Sequence, residues 1–184
     1  MRLTQPLALV ALVELAVAPA SAFAVDYLSA EQAARLMFPD ADRFEASEVA
    51  LTPAEMRKLE EAGVRARSAR WKFSAARKGE ATLGWVVVDE VIGKFELITY
   101  AVGLGTDGTL RQVEILSYRE SHGGEIRLPA WRKQFVGKRP GDSIEVGRDI
   151  ANISGATLSC RHLTEGVKRI VELTQVLRAD GSLR

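Results

Sequence analysis

Residues 71–118 read WKFSAARKGEATLGWVVVDEVIGKFELITYAVGLGTDGTLRQVEILSY, a stretch rich in β-branched and aromatic residues. Short connections that contain glycine divide it into the runs Trp71 to Ala76, Leu83 to Val91, Phe95 to Val102 and Leu110 to Tyr118. Connections this short join antiparallel strands, because a parallel pair needs a crossover of about a dozen residues or more. The stretch therefore predicts an antiparallel sheet.

The last of these runs has an alternating pattern. Val113 and Ile115 alternate with the polar residues Gln112 and Glu114. Strict alternation is typical of a strand with one buried and one solvated face. We therefore expect one face of this strand to be wetter.

Two helices are predicted before the sheet. Ser29 and Gln32 have the spacing of a capping box, in which an N-cap side chain and the residue three positions later bind each other's backbone N–H. Thr52 and Glu55 have the same spacing, with Pro53 at the first helical position. These signals predict a helical segment over residues 25–65.

Two further helices are predicted after the sheet. Residues 128–135 indicate a short helix with Trp131 and Phe135 on one side. An apolar stripe from Leu163 to Leu177 continues through about four turns and indicates a long final helix. The fold class is therefore α+β, an antiparallel sheet packed with helices, with an α+β core over residues 66–184.

Composition limits the classes of function. The chain has 184 residues, enough for one domain with its own core, and a formal net charge of +1. Nucleic acid is an unfavourable partner, because phosphate-backbone binding needs a basic excess. The single cysteine, Cys160, excludes an internal disulfide, and no Cys/His cluster has the spacing of a zinc site.

The first 24 residues have the pattern of a secretory signal peptide. Arg2 precedes an apolar run, and Ala22 and Ala24 satisfy the small-residue rule for cleavage. Glu14 interrupts the apolar run, which disfavours a permanent membrane span. We expect export to the periplasm and one mature domain over residues 25–184. An uncleaved anchor and a buried N-terminal helix are the alternatives.

A run of small and hydroxyl residues, ISGATLS at residues 153–159, lies where the final helix begins. A helix start leaves backbone N–H groups unpaired, and small side chains let a phosphate approach them. The alternative is an ordinary N-cap in which Ser154 or Thr157 binds the first turn. Spacing alone does not decide between the two.

This run resembles the attachment motif of the FMN-binding domain family, whose members include flavin-carrying components of Na⁺-translocating NADH:quinone oxidoreductase and of Rnf electron-transport complexes. A second match is YRESHGGE at residues 118–125, which resembles the family's E-T-x-G-x-G loop, followed by an aromatic and QF-x-G-K segment at residues 131–138. The resemblance covers residues 81–177. It implies that a flavin transferase esterifies the phosphate of FMN to the hydroxyl of Thr157.

The resemblance also implies which residues contact the cofactor. From the motif they are Thr157, Ser154, Gly155, Ala156, Leu158 and Ser159, and from the loop they are Glu120, Ser121, His122, Gly123 and Gly124, with Trp131 as a further candidate. It implies no catalytic residue and no metal ligand. The family has an aspartate six residues before the threonine, where this chain has Ala151. Non-covalent FMN binding is therefore the alternative to the ester.

The function expected from these observations is exported electron transfer, in which FMN exchanges electrons with a membrane or periplasmic redox partner. A flavin supplies such chemistry itself, while the protein supplies position and electrostatics. The alternatives are a non-redox module that binds a ligand or partner, and a flavin-dependent reductase. Cys160, His162 and the tryptophans Trp71 and Trp85 are interpreted as core or surface residues.

Overall fold

The computed structural model describes residues 25–183. An antiparallel sheet forms its centre, with the strands β1 Val25–Asp26, β2 Arg43–Ala50, β3 Arg70–Lys78, β4 Ala81–Ile92, β5 Leu97–Gly105 and β6 Leu110–Tyr118. The strands lie in the order β1-β6-β5-β4-β3-β2, and every neighbouring pair is antiparallel. The predicted antiparallel sheet is confirmed.

The helices are α1 Ala30–Met37, α2 Pro53–Glu61, α3 Pro129–Arg132 and α4 Thr157–Ala179, and short 3₁₀ turns at Gly124–Arg127 and Lys133–Phe135 flank α3. Both predicted capping boxes are present. The Ser29 hydroxyl accepts the N–H of Gln32 at 3.1 Å, and the Thr52 hydroxyl accepts that of Glu55 at 3.2 Å. Each N-cap stabilises its helix by about 1 kcal/mol. The α+β class with a long C-terminal helix is confirmed.

Helix α4 packs across one face of the sheet and against α2. At Gly166 its backbone touches the sheet so closely that a Cβ atom would overlap the Tyr100 hydroxyl. That hydroxyl donates to Asp89 at 2.8 Å, and Arg169 donates to the same carboxylate at 3.3 Å. Burial, and then the Asp89 charge, raise the pKa of Tyr100 well above its ordinary value. These contacts fix the position of α4, and with it the helix start where the motif lies.

Helix α1 covers part of the opposite face, where Met37 and Phe38 pack on Leu116 of β6. The predicted wetter face of β6 is therefore wrong. Glu114 on that strand is only 6% exposed, because Arg132 lies over it and forms an ion pair with its carboxylate. The Glu114–Arg132 ion pair and helix α1 thus bury the face of β6 that the alternation of its sequence indicated to be solvated.

The segment 25–65, predicted to be helical, also contributes strands β1 and β2. Strand β2 lies at one edge of the sheet, and most of its side chains are exposed. Residues 1–24, where a signal peptide is predicted, lie outside the described residues. Within the described part, no helix has the length and apolar character needed to cross a membrane.

Candidate functional site

The start of α4 has no side-chain cap. Thr157 is the first residue of the helix, and Ala156 occupies the N-cap position without a capping hydrogen bond from its side chain. Neither Ser154 nor Thr157 therefore acts as the N-cap of an ordinary helix. Within residues 25–183, the backbone N–H groups of Thr157, Leu158 and Ser159 have no acceptor. Unpaired N–H groups at the positive end of a helix dipole are suited to bind an anion such as a phosphate.

The Thr157 side chain is exposed, and its hydroxyl oxygen accepts a hydrogen bond from Asn152 Nδ2 at 3.2 Å. Gly155 makes the turn before the helix with a positive φ of 80°. The hydroxyl is thus oriented by a neighbouring amide and open to reaction. Asn152 was not among the residues predicted from the sequence, where its only signal is its place five residues before Thr157.

The loop at residues 120–124 lies against this helix start. Gly123 has a φ of +82°, and a Cβ atom there would overlap Ala156 and lie 2.8 Å from the Tyr118 hydroxyl oxygen. The same hydroxyl donates to the His122 carbonyl and lies 3.5 Å from Ser159 Oγ. The structure therefore brings together the two segments that were predicted to contact the cofactor. Ser121 and His122 are exposed on this loop and bind each other, Oγ to Nδ1, at 2.9 Å.

Glu120 has a different contact from the one expected of a flavin ligand. Its carboxylate oxygen Oε1 accepts the backbone N–H groups of Lys94, of Phe95 at 2.6 Å and of Glu96 at 3.0 Å. Burial acts to raise the pKa of Glu120, but these N–H groups and the Lys94 charge outweigh it and leave the pKa below its ordinary value. Glu120 therefore holds the turn between β4 and β5 beside the loop.

The turn, the loop and the motif enclose a cleft of about 450 Å³, lined by Lys94, Phe95, Glu120, Ser121, His122, Gly155, Ala156, Thr157, Leu158 and Ser159. A second depression of about 640 Å³ shares Glu120, Ser121 and His122 with this cleft and also includes Ser154, Gly123 and Gly124. Both volumes lie within the range of cofactor pockets, which is about 300–1,000 Å³. The first cleft suits FMN, because it combines an exposed hydroxyl, unpaired N–H groups for a phosphate and exposed apolar side chains for a ring.

Trp131 does not line either of these hollows. It is buried, its ring meets Phe135 edge-on at 5.2 Å, and its indole N–H donates to the Ala151 carbonyl at 2.7 Å. Gln134 accepts the N–H of the same alanine at 2.8 Å. The predicted short helix thus supports the chain that leads into the motif.

Asp149 does not replace the aspartate that is absent at Ala151. Its carboxylate forms an ion pair with Lys138 and accepts from the Glu145 N–H at 2.9 Å and from Ser143 Oγ at 3.3 Å. Burial acts to raise the pKa of Asp149, but Lys138 and these hydrogen bonds leave it below its ordinary value. The aspartate that precedes the motif is thus engaged in the loop's own structure.

The remaining candidates have structural positions. Cys160 is fully buried, and burial raises the pKa of its thiol, as expected of a small core residue. Trp71 and Trp85 are also buried in the core. His162 Nδ1 contacts the Ile92 carbonyl at 2.6 Å and thereby links α4 to the end of β4.

Comparisons with known proteins point to the same segment. The model of the FMN-binding domain family matches residues 93–172. One component of the proton-translocating ferredoxin:NAD(+) oxidoreductase complex of Clostridium ljungdahlii is 32% identical over 106 residues, covering 53% of this chain and 57% of that protein. The chain thus spans a little over half the length of this curated relative.

The fold also matches that of a solved structure. The crystal structure of Shewanella oneidensis NqrC superposes with a TM-score of 0.51 at 16% identity, covering 79% of this chain and 88% of that chain. The family-matched residues 93–172 contain the turn, the loop and the motif that enclose the cleft. Through these residues, this chain is similar to the FMN-binding domain family.

Proposed function

We propose that this chain is an electron carrier that holds FMN in the cleft beside α4, esterified through its phosphate to Thr157, and exchanges electrons with a membrane-associated redox partner. The observation that carries the proposal is the Thr157 hydroxyl, which is exposed and lies at an uncapped helix start within the family-matched segment. The flavin supplies the redox chemistry when bound, and the chain supplies its position and surroundings.

The proposed ester is physically consistent with this position. A phosphoester between Thr157 Oγ1 and FMN keeps one negative charge, and an anion at a helix N-terminus is stabilised by about 0.3–1 kcal/mol. The unpaired N–H groups of Leu158 and Ser159 are available to the phosphate oxygens. Asn152 Nδ2 donates a hydrogen bond to the hydroxyl oxygen. A flavin transferase is the proposed catalyst, and its donor is FMN activated as a phosphoric anhydride. The Thr157 hydroxyl loses its proton as Oγ1 bonds to the FMN phosphorus, and the anhydride bond breaks to release the other phosphate as the leaving group.

The proposed partner rests on the relative from Clostridium ljungdahlii, whose name describes one component of a proton-translocating ferredoxin:NAD(+) oxidoreductase complex. Export to the periplasm rests on the signal pattern of residues 1–24. A covalent link suits an exported carrier, because a tethered cofactor keeps a high effective concentration at its site and does not diffuse away.

Intact-mass spectrometry under denaturing conditions tests the attachment. The chain is coexpressed with a flavin transferase, beside the variants Thr157→Ala, Thr157→Ser and Ser154→Ala. We expect the mass of FMN minus one water in the wild type, in Thr157→Ser, which keeps a hydroxyl, and in Ser154→Ala. The increment should vanish in Thr157→Ala.

Three results would overturn parts of the proposal. An increment that persists in Thr157→Ala places the ester elsewhere. An unmodified mass in a sample that is yellow before denaturation shows non-covalent binding, and a colourless sample under both conditions removes the flavin. Electron transfer is then tested by reducing the loaded chain and following reoxidation of the flavin by membranes from the source cell.

A further inference from the structure

Two large apolar side chains that line the cleft are exposed to solvent. Phe95 is 75% exposed and Leu158 is 39% exposed. Both line the cleft that contains Thr157. An apolar ring that covers Phe95 removes apolar surface from water, which favours binding. The two side chains stand on different walls, one on the turn after β4 and one on the first turn of α4.

The turn that presents Phe95 has a fixed position. Glu120 binds the N–H groups of residues 94–96, including that of Phe95 at 2.6 Å. Gly93 leaves no room for a side chain, because a Cβ atom there would lie 2.5 Å from Glu120 Oε1 and 3.0 Å from Ser159 Oγ. The backbone of the turn is therefore packed directly against the loop and α4. Phe95 is exposed on a fixed support.

A positive charge lies next to this ring. Lys94 Nζ is 4.8 Å from the centroid of the Phe95 ring, and within residues 25–183 it has no carboxylate within ion-pair distance. A cation beside a flavin ring favours the reduced ring when that ring carries negative charge, since the pair attract each other most strongly where water is excluded. The cleft thus offers an apolar surface with a cation at its edge.

We propose that Phe95 and Leu158 form the apolar contact for the isoalloxazine ring, with Lys94 as the cation at its edge. The inference rests on the proposed function and deepens it by naming the ring subsite. The second depression is less suitable, because Thr157 does not line it. Its Tyr27 ring is already covered by the Arg127 guanidinium, 4.2 Å from the ring centroid.

Tryptophan substitutions show whether the flavin ring lies in the cleft or in the second depression. An indole in van der Waals contact with an isoalloxazine ring quenches flavin fluorescence by electron transfer, whereas a phenylalanine does not. Phe95→Trp tests the proposed subsite, and Leu128→Trp tests the second depression, which Leu128 lines. Leu36→Trp is the matched control, because Leu36 is 54% exposed, as is Leu128, and lines neither hollow.

The measurement is the fluorescence yield per bound flavin, with flavin loading fixed by absorbance and intact mass. We expect a several-fold lower yield for Phe95→Trp and an unchanged yield for Leu128→Trp and Leu36→Trp. Quenching in Leu128→Trp alone, or in none of the three, overturns the ring subsite while leaving FMN attachment intact. A wild type without flavin instead contradicts the proposed function itself.

The role of Lys94 has a separate readout. Removing the cation in Lys94→Gln should lower the midpoint potential of the bound flavin, while Lys133→Gln, an exposed cation on α3's C-terminal side, should leave it unchanged. An unchanged potential in Lys94→Gln would remove Lys94 from the subsite. Flavin content serves as the control for folding in both variants.

Discussion

Replacing Gly123 with alanine tests the close contact between the loop and the FMN motif. Gly123 has a φ of +82°, and a Cβ atom there would overlap Ala156 and approach the Tyr118 hydroxyl to 2.8 Å. An L-residue in the left-handed region costs about 1–2 kcal/mol. Overpacking a filled site costs about 1–3 kcal/mol more. We expect Gly123→Ala to lower the free energy of unfolding by roughly 2–5 kcal/mol.

The assay is urea unfolding of the chain without flavin, followed by circular dichroism. Gly137→Ala is the matched control, because Gly137 has a φ of +86° and nothing within 4 Å of a Cβ atom. It should lose only the backbone cost of about 1–2 kcal/mol. The slope of the free energy against urea should be the same for both variants, because neither changes the surface exposed on unfolding.

A double-mutant cycle identifies the origin of the difference. Ala156→Gly removes the methyl group that the new Cβ atom would overlap. The double variant Gly123→Ala/Ala156→Gly should therefore be more stable than the sum of the two single changes predicts. Equal costs for Gly123→Ala and Gly137→Ala, together with simple additivity in the cycle, would refute the close contact.

Three further predictions concern single side chains. Because the pKa of Glu120 lies below its ordinary value of 4.5, its stabilising contribution is present above that pH and is lost as the pH falls through the lowered pKa. Glu120→Gln should therefore lower the free energy of unfolding at pH 7 by on the order of 1–2 kcal/mol. The difference in free energy of unfolding between the variant and the wild type should disappear in acid, and an equal difference at both pH values would contradict this. Ala151→Asp should increase the fraction of chain that carries FMN in a transferase coexpression, measured by intact mass, and an unchanged fraction would show that the transferase does not read this position. Cys160 should resist alkylation in the native chain and react in urea, because it is buried and its pKa is raised; rapid native labelling would contradict the burial.

Local signals in the sequence predicted most of the fold. The caps at Ser29 and Thr52 and the four strands between residues 70 and 118 depend on neighbours a few positions away. Strand β2 was missed because its side chains are mostly polar and exposed, so it has no apolar alternation. Glu114 was misplaced on a wet face because its partner, Arg132, comes from a helix 18 positions later. When residues distant in the sequence cover a polar face of a strand, no pattern within the strand reveals it.

The same division applies to the site. The motif and the loop each have a recognisable local composition, which is why both were predicted. The structure brings them together at Gly123 and Ala156. Phe95 and Lys94 were not predicted as site residues, because the sequence placed Phe95 at the start of a strand and Lys94 in the short connection before it, whereas β5 begins at Leu97. The bond from Glu120 to that turn spans about 25 positions. Such a contact is set by sheet register, which the pattern of short segments does not determine.

The cleft is already shaped by contacts that do not involve a cofactor. Glu120 holds the turn, Trp131 holds the Ala151 carbonyl before the motif, and Lys138 with Asp149 fixes the loop further upstream. Preorganised walls reduce the ordering cost of binding. Loss of the Trp131 indole or of the Lys138–Asp149 ion pair should therefore weaken flavin placement without removing a side chain that lines the cleft. In a covalently loaded chain the flavin would remain attached while its ring becomes more accessible to a soluble quencher. The same change in a chain that binds FMN non-covalently would release the cofactor, so the two attachment modes predict different outcomes for a single substitution such as Trp131→Phe, which removes the indole hydrogen bond and keeps an aromatic ring.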